Sequence, residues 1–178
     1  MGNRSGNSEL DLYRTCCFTG LRPQKLPFGF DEGNRLCLQI KERLKQEIIR
    51  LITEQHVTHF ISGMALGVDQ WTAEVILCLQ EQYPDITLEC ALPCETQAAK
   101  WSVNQRERYF SIVERCSKET MLQTSYTRDC MIKRNRYMVD RSRYVLAVWD
   151  GSNGGTGYTV RYAQSQNRIV QIINPTEL

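Results

Sequence analysis

Short apolar runs alternate along the chain with longer segments in which apolar residues recur every three or four positions. The runs are rich in Val, Ile, Thr and Phe, which is typical of β-strands. The recurrent spacing, seen for example at Ile40, Leu44 and Ile48, is typical of one face of an α-helix. This pattern predicts six strands, at residues 13–19, 56–61, 86–92, 119–122, 144–149 and 168–173. It predicts five helices between them, at residues 36–51, 66–82, 105–116, 128–142 and 158–166.

The regular alternation of strands and helices predicts the fold class. Neighbouring parallel strands need a crossover segment, which is usually a helix and nearly always right-handed. The sequence therefore predicts an α/β protein with a doubly wound, mainly parallel, Rossmann-like sheet flanked by helices. A length of 178 residues fits a single domain. The polar residues 1–12 are expected to form a flexible N-terminus, and residues 13–178 the domain.

The turn after the second predicted strand joins an apolar run to a helix through two glycines. Ser62, Gly63 and Gly67 lie in this turn, and Asp69 follows them at the start of the helix. The first N–H groups of a helix have no intrahelical partner and favour anions, and glycine lets a ligand approach the main chain. The turn is therefore a candidate phosphate site, with Asp69 as a contact for a ribose diol or as a cap of the turn. The alternative is an ordinary strand-to-helix turn that needs glycine for its geometry.

The turn after the first predicted strand has similar chemistry. Thr19, Gly20 and Arg22 could hold a phosphate through a hydroxyl, exposed N–H groups and a guanidinium that grips two oxygens. The alternative is a surface arginine beside a proline turn.

A third turn of this kind follows the fifth predicted strand. Asp150 opens it, and Gly154, Gly155 and Thr156 lead into a helix, which makes a second candidate phosphate cradle. All three turns follow strands, and ligands of open α/β sheets bind outside the carboxyl ends of the strands. We therefore expect the turns to converge on one cleft.

Five further polar or aromatic residues are candidates for the same cleft. Gln97 and Trp101 lie in the polar loop after the third strand, and Arg134, Asn135 and Asp140 lie on the fourth helix. Asp140 could hydrogen-bond a ribose diol, as acidic residues do in other Rossmann sites. The alternative for the helix is a solvated, charged face.

Composition narrows the function classes. The net charge of +2, from 22 basic and 20 acidic residues, argues against nucleic acid as the main partner. No segment approaches the roughly 20 apolar residues of a membrane span, and the first ten residues lack a signal-peptide core, so we expect a cytoplasmic protein without a membrane partner. The eight cysteines are expected to be reduced thiols, mostly buried, and two histidines make a zinc site improbable. The G-x-G-x-x-G and P-loop fingerprints are both absent, and no cofactor is expected.

Four motifs stand in order along the chain, three of them after predicted strands and the third on the fourth predicted helix: T-G-x-R-P, S-G-M-A-L-G-V-D, R-N-R-x-M-V-D-R-S and G-G-T. In this combination the chain resembles the SLOG superfamily of Rossmann-like domains. The Gln97-x-x-Lys100-Trp101 loop and the Arg22-Pro23 pair look most like its YpsA-like branch. Relatives in the superfamily include the DNA-processing protein DprA, the Lonely-Guy phosphoribohydrolases and sensor domains for NAD-derived signals. The resemblance implies a nucleotide-derived ligand, such as an ADP-ribose or cyclic-nucleotide type of signal, and leaves a homodimer or higher homo-oligomer open.

The departures from the family pattern bear on catalysis. Lonely-Guy enzymes carry a glutamate three residues after the threonine of their glycine-rich motif, and if Thr156 matches that threonine, the glutamate position holds Thr159. A threonine cannot ionise as a general acid or base. The first hypothesis is therefore a protein that senses or sequesters a nucleotide. The second is a nucleotide N-glycosidase that uses Asp69 or Asp140, and the third, single-stranded DNA binding, would require a basic groove.

Overall fold

The computed structural model describes residues 11–178 and is built around a six-stranded sheet. All neighbouring strands run parallel, in the spatial order β4-β3-β2-β1-β5-β6. The strands are β1 (Thr15–Gly20), β2 (His59–Ser62), β3 (Thr87–Leu92), β4 (Lys118–Met121), β5 (Tyr144–Val148) and β6 (Ile169–Ile173). The chain thus builds the sheet outward from β1 to β4 and then returns to place β5 on the other side of β1.

One helix follows each of the first five strands and connects it to the next strand. The helices are α1 (Arg35–Gln55), α2 (Val68–Leu79), α3 (Val103–Arg115), α4 (Cys130–Asp140) and α5 (Gly155–Ser165). Short 3-10 turns occur at Pro23–Lys25 and Pro175–Glu177. Within residues 11–178, no helix is long and apolar enough to cross a membrane.

The two faces of the sheet are covered by different helices, because side chains alternate along each strand. Cys16 and Phe18 of β1 face the large core formed with α1, α2 and α3. Cys17 faces the smaller core, where Met138 of α4 and Ala163 of α5 pack. Six of the eight cysteines are buried, as expected for small apolar residues. The predicted doubly wound, parallel α/β fold is therefore confirmed.

The predicted element order is confirmed, and the differences lie at element ends. Residues 11–13 are helical, so β1 begins at Thr15 and not at residue 13. Helix α2 begins at Val68, two residues later than predicted, because Gly67 takes a φ of 90° that a helix cannot continue. The prediction of a flexible terminus falls mostly on residues 1–10, which lie outside the described part. Asp11 and Leu12 are inside it, and their carbonyls accept hydrogen bonds from the N–H groups of Arg14 and Arg143.

One buried carboxylate ties β3 to its neighbours on the α4 side of the sheet. Glu89 is 1% exposed and accepts hydrogen bonds from His59 (2.8 Å), Thr120 (2.6 Å) and Tyr137 (2.6 Å), with the Lys118 ammonium 3.3 Å away. Burial by itself would raise the pKa of Glu89, but these hydrogen bonds and the Lys118 charge outweigh it and lower the pKa to about 2. The ionised carboxylate therefore joins two neighbouring strands and one helix to β3.

The lowered pKa of Glu89 predicts a loss of stability in acid. Because the folded pKa lies near 2 and the ordinary value is 4.5, this stabilisation is present above pH 4.5 and disappears as the pH falls towards 2. We expect Glu89→Gln to lower the free energy of unfolding at pH 7 by about 3 kcal/mol, and to flatten its decline between pH 4.5 and 2. Urea unfolding across this pH range checks the prediction, with the exposed Glu81→Gln as the control. Equal pH dependence in the parent and Glu89→Gln would contradict it.

Candidate functional site

The strand order reverses between β1 and β5, and this defines where an open α/β sheet offers a crevice. Gly20 at the end of β1 pairs with Val148 at the end of β5, so both strands stop at the same level. The chain leaves β1 towards the face covered by α1, whereas it leaves β5 towards the face covered by α5. The loops after the two strands therefore diverge at the carboxyl edge of the sheet, where the three candidate turns were expected to converge.

The loop after β1 is packed tightly onto the start of α2. A side chain at Gly20 would place its Cβ 2.5 Å from the Cβ of Val68, and one at Gly67 would lie 2.9 Å from Pro23. Gly20 and Gly67 therefore serve close packing between the first two turns. Thr19 is buried within β1, whereas Arg22 is half-buried at its end.

The turn after β2 is held in shape by its own polar side chains. The Ser62 hydroxyl donates to the main-chain oxygen of Asp69 (2.7 Å) and accepts from the N–H of Met64 (3.2 Å). The Asp69 carboxylate accepts from the N–H of Ala65 (3.2 Å). Met64 has a φ of 57°, which is unusual for a residue with a side chain, so this hydrogen-bonded frame holds a strained backbone. The predicted role of Asp69 as a holder of the turn is the one that these contacts show.

Arg134 supports the same turn from below. Its side chain reaches in from α4, is 3% exposed, and donates from Nη1 to the carbonyl oxygen of Gly63. Gln97 donates to that oxygen as well, from Nε2 at 3.0 Å. A Cβ on Gly63 would lie 2.5 Å from Nη1 of Arg134, so glycine is needed here because the guanidinium occupies the space. Arg134 is thus a buried support of the turn, and the exposed, charged helix face considered as the alternative does not include it.

A short chain of hydrogen bonds joins α4 to the start of α5. The Asn135 amide donates to the Thr159 hydroxyl (2.9 Å), which in turn donates to the main-chain oxygen of Gly155 (2.9 Å). Arg134 donates from Nε to the amide oxygen of Asn135 (2.8 Å), so the supports of the two turns are connected. Thr159 is fully buried in this chain.

The turn after β5 leaves the start of α5 open. The Asp150 carboxylate accepts from the N–H of Ser152 (3.0 Å), and Gly154 is the N-cap of α5 with a φ of 143°. A Cβ added to Gly155 would meet nothing within 4 Å, so the helix start is accessible there. Thr156 follows, half-buried, in the first turn of α5. Positive φ angles occur at Gly151 and Gly154, where glycine suits the backbone, and not at Gly155.

Lys25 is a cleft residue that sequence reasoning missed. A Cβ on Gly154 would lie 2.8 Å from the Lys25 ammonium, so the lysine reaches from the loop after β1 to the start of α5. Its position two residues after Pro23 gave no signal, because a lysine in a polar loop is ordinarily solvated. The only available hint was that it shares a loop with Arg22.

The starts of α2 and α5, like that of α4, lack the side-chain caps that α1 and α3 have. Asn34 caps α1, and Ser102 caps α3 in a complete capping box. Gly67 and Gly154 are the N-caps of α2 and α5, and neither can offer a side chain. An uncapped helix start keeps unpaired N–H donors and a partial positive charge, both of which favour an anion.

The charges of the site interact with one another. Burial raises the pKa of Asp69, and the charges of Arg134 and Arg22 act in the opposite direction. Burial lowers the pKa of Arg134, and Asp69 opposes that shift. The two arginines and the aspartate therefore lie close enough to share one electrostatic environment at the turn after β2.

Asp140 lies apart from the three turns, and its predicted contact with a ligand stays a prediction. It is the last residue of α4, it is exposed, and its carboxylate accepts from the Tyr162 hydroxyl (2.8 Å). Helix α4 returns the chain from the carboxyl edge to the amino end of β5, and its 11 residues rise about 15 Å. Arg134 in the first half of the helix therefore reaches the cleft, and Asp140 does not.

Trp101 is half-buried in the loop after β3, where its ring packs edge-on against Tyr109 at 5.5 Å.

The fold defines the class of protein: a single-domain, Rossmann-like α/β protein, a class in which ligands bind outside the carboxyl ends of the strands where the strand order reverses. A family model described as the YspA SLOG family matches residues 16–178, and the chain belongs to this family. The prophage-derived protein YoqJ of Bacillus subtilis (strain 168) is 31% identical over 143 residues, which cover 74% of this chain and 84% of YoqJ. The protein YpsA of the same organism is 28% identical over 145 residues, which cover 80% and 79% of the two chains.

Solved structures of DprA proteins have the same fold. DprA from Streptococcus pneumoniae superposes with a TM-score of 0.60 and 16% identity over 93% of this chain, which spans about half (52%) of that longer protein. DprA from Helicobacter pylori, described for its single-stranded DNA binding mode, gives a TM-score of 0.61 and 17% identity over 93% of this chain and 67% of that one. At these identities the likeness shows the shared fold.

The support of the Gly63 turn by Arg134 predicts a difference between two Gly-to-Ala changes. Gly63→Ala must displace a buried, hydrogen-bonded guanidinium, and we expect it to lower the free energy of unfolding by about 1–3 kcal/mol. Gly155→Ala meets no neighbouring atom and should leave stability almost unchanged. Thermal melts of both variants check the prediction. It fails if Gly63→Ala melts at the same temperature as Gly155→Ala.

Proposed function

We propose that this protein binds a nucleotide-derived small molecule, with the phosphates over the ends of β1 and β5. The observation that carries the proposal is the pair of uncapped, glycine-led helix starts at the carboxyl edge, with Lys25 lying against one of them. A helix start with free N–H groups is a ready anion site, and a nearby ammonium strengthens it.

Arg22 and Lys25 supply the positive side-chain charges of the proposed phosphate site. Arg22 is half-buried at the end of β1, and no hydrogen bond from its guanidinium is found within residues 11–178. Arg134 is committed to Gly63 and Asn135, so it shapes the turn and adds a positive charge from below. A phosphate over β1 and β5 would therefore meet two side-chain cations and the N–H groups of α5.

Binding without turnover fits the side chains better than N-glycoside hydrolysis does. Thr159, which holds the glutamate position of Lonely-Guy hydrolases if Thr156 matches their threonine, is buried and uses its hydroxyl to join Asn135 to Gly155. Asp69 is buried and holds the turn after β2, and Asp140 lies at the other edge of the sheet. Neither is placed as a general acid or base beside the start of α5.

The phosphate site predicts the effect of removing its cations. Arg22→Ala and Lys25→Ala should each weaken the binding of ADP-ribose or AMP about tenfold or more, because each removes a charge-assisted contact worth roughly 1.5–3 kcal/mol. Isothermal titration calorimetry measures the affinities, and Lys45→Ala, an exposed lysine on α1, is the matched control. If both variants fold and bind the nucleotides as tightly as the parent does, the phosphates do not lie beside Arg22 and Lys25.

The absence of a placed acid or base predicts no turnover. On incubation with AMP, ADP-ribose or NAD, chromatography should detect no free base above the level of a protein-free control. Release of base in proportion to protein, lost in Asp69→Asn while that variant stays folded, would support the N-glycosidase alternative. Binding of single-stranded DNA with a steep salt dependence, in preference to nucleotides, would instead favour the activity in the description of the Helicobacter pylori relative.

A further inference from the structure

Two buried side-chain atoms in the described residues have no hydrogen-bond partner: the amide oxygen of Gln97 and the hydroxyl of Ser142. Ser142 lies just before β5, at the opposite edge from the site, and its hydroxyl can pair with the thiol of Cys17. Gln97 is 8% exposed and lies at the site, where it contacts the Gly63 turn. Buried polar atoms are nearly always paired, so the unpaired Gln97 oxygen calls for a donor.

The orientation of the Gln97 amide is fixed by its other contact. The Gly63 carbonyl can only accept, so the Gln97 atom 3.0 Å away from it must be the nitrogen. The unpaired atom is therefore the oxygen, which can only accept a hydrogen bond. Whatever completes this site must bring an N–H or O–H group to that oxygen.

A turn of the Gln97 side chain towards a ligand would leave no unpaired carbonyl behind. The Gly63 carbonyl accepts a second hydrogen bond from Arg134, so it stays paired when Gln97 leaves. The Gln97 amide could then use both its oxygen and its nitrogen on one ligand edge. A carboxamide of this kind matches an edge that carries a donor next to an acceptor, as adenine does with its amino group and the neighbouring ring nitrogen.

The position of Gln97 fits a base and not a phosphate. It follows β3, which lies two strands from β1, or about 10 Å at the usual strand spacing. This is comparable to the span of a nucleotide from its phosphate to the far edge of its base. The Arg134 guanidinium, which reaches the same turn from α4, is committed to the Gly63 carbonyl and Asn135.

We propose that Gln97 is the base-selecting residue of the site and accepts a hydrogen bond from the amino group of an adenine-type base. The proposal rests on the proposed function, since it takes the phosphates to lie over β1 and β5. The ligand class is then an adenine nucleotide, in preference to a hypoxanthine nucleotide, which has an oxygen where adenine has its amino group. The Gln97 oxygen would face another acceptor in that case.

The test compares AMP with IMP, and ADP with IDP, by isothermal titration calorimetry on the parent and on Gln97→Met. We expect the parent to bind the adenine member of each pair about tenfold more tightly, as for one hydrogen bond to a buried acceptor. Gln97→Met removes both amide atoms at similar length, and it should bring the two members of each pair to equal affinity. Thermal melts of Gln97→Met without ligand report on the structural part of its role.

The outcomes separate this proposal from the one on which it rests. Equal affinity of the parent for both members of a pair would overturn base selection by Gln97 and leave nucleotide binding in place. A Gln97→Met variant that binds both members more weakly but keeps their ratio would also overturn it, because Gln97 would then only hold the turn. If the parent binds none of the four nucleotides, both proposals fail. The comparison on the parent decides the matter even if Gln97→Met does not fold.

Discussion

The charge of Arg134 lies almost fully buried beneath the Gly63 turn, and the arrangement of the site depends on how that charge is accommodated. A buried guanidinium is tolerated only where acceptors and an opposite charge surround it. Gly63 and Asn135 provide the acceptors, and Asp69 provides the opposing charge. The same contacts fix the carbonyl of the turn, connect it to α5, and demand a residue without a side chain at position 63. One buried cation thus sets the shape of two loops that would otherwise be independent.

A site built in this way is shaped before any ligand arrives. The turn after β2 holds Met64 in a strained conformation through Ser62 and Asp69, so its main chain does not need to reorganise on binding. The cations that meet solvent, Arg22 and Lys25, are carried by the loop after β1, whereas Arg134 and Asn135 are anchored in a helix. In the proposed site, this division places the helix-anchored residues beneath the ligand and the loop-borne charges above it.

Periodicity was enough to predict the strands, the helices and the edge of the sheet where the candidate turns meet. It could not predict how far each helix carries its side chains from that edge, so neither the placement of Asp140 away from the turns nor the burial of Arg134 beneath Gly63 was foreseen. The contacts of Lys25 and Glu89 could not be predicted from the sequence for a different reason. Lys25 lies against Gly154, and Glu89 against Thr120 and Tyr137, only once distant segments are packed together. Buried polar contacts of this kind leave no periodic trace in a single sequence.

The contact between Gly20 and Val68 has a consequence for how sequences of this fold can diverge. The end of β1 and the start of α2 approach so closely that the volume of a methyl group at position 20 is already taken by Val68. The two positions share one fixed volume, although 47 residues lie between them in the chain. A larger residue at position 20 is therefore compatible with the fold only when position 68 becomes smaller, and neither position can drift without the other.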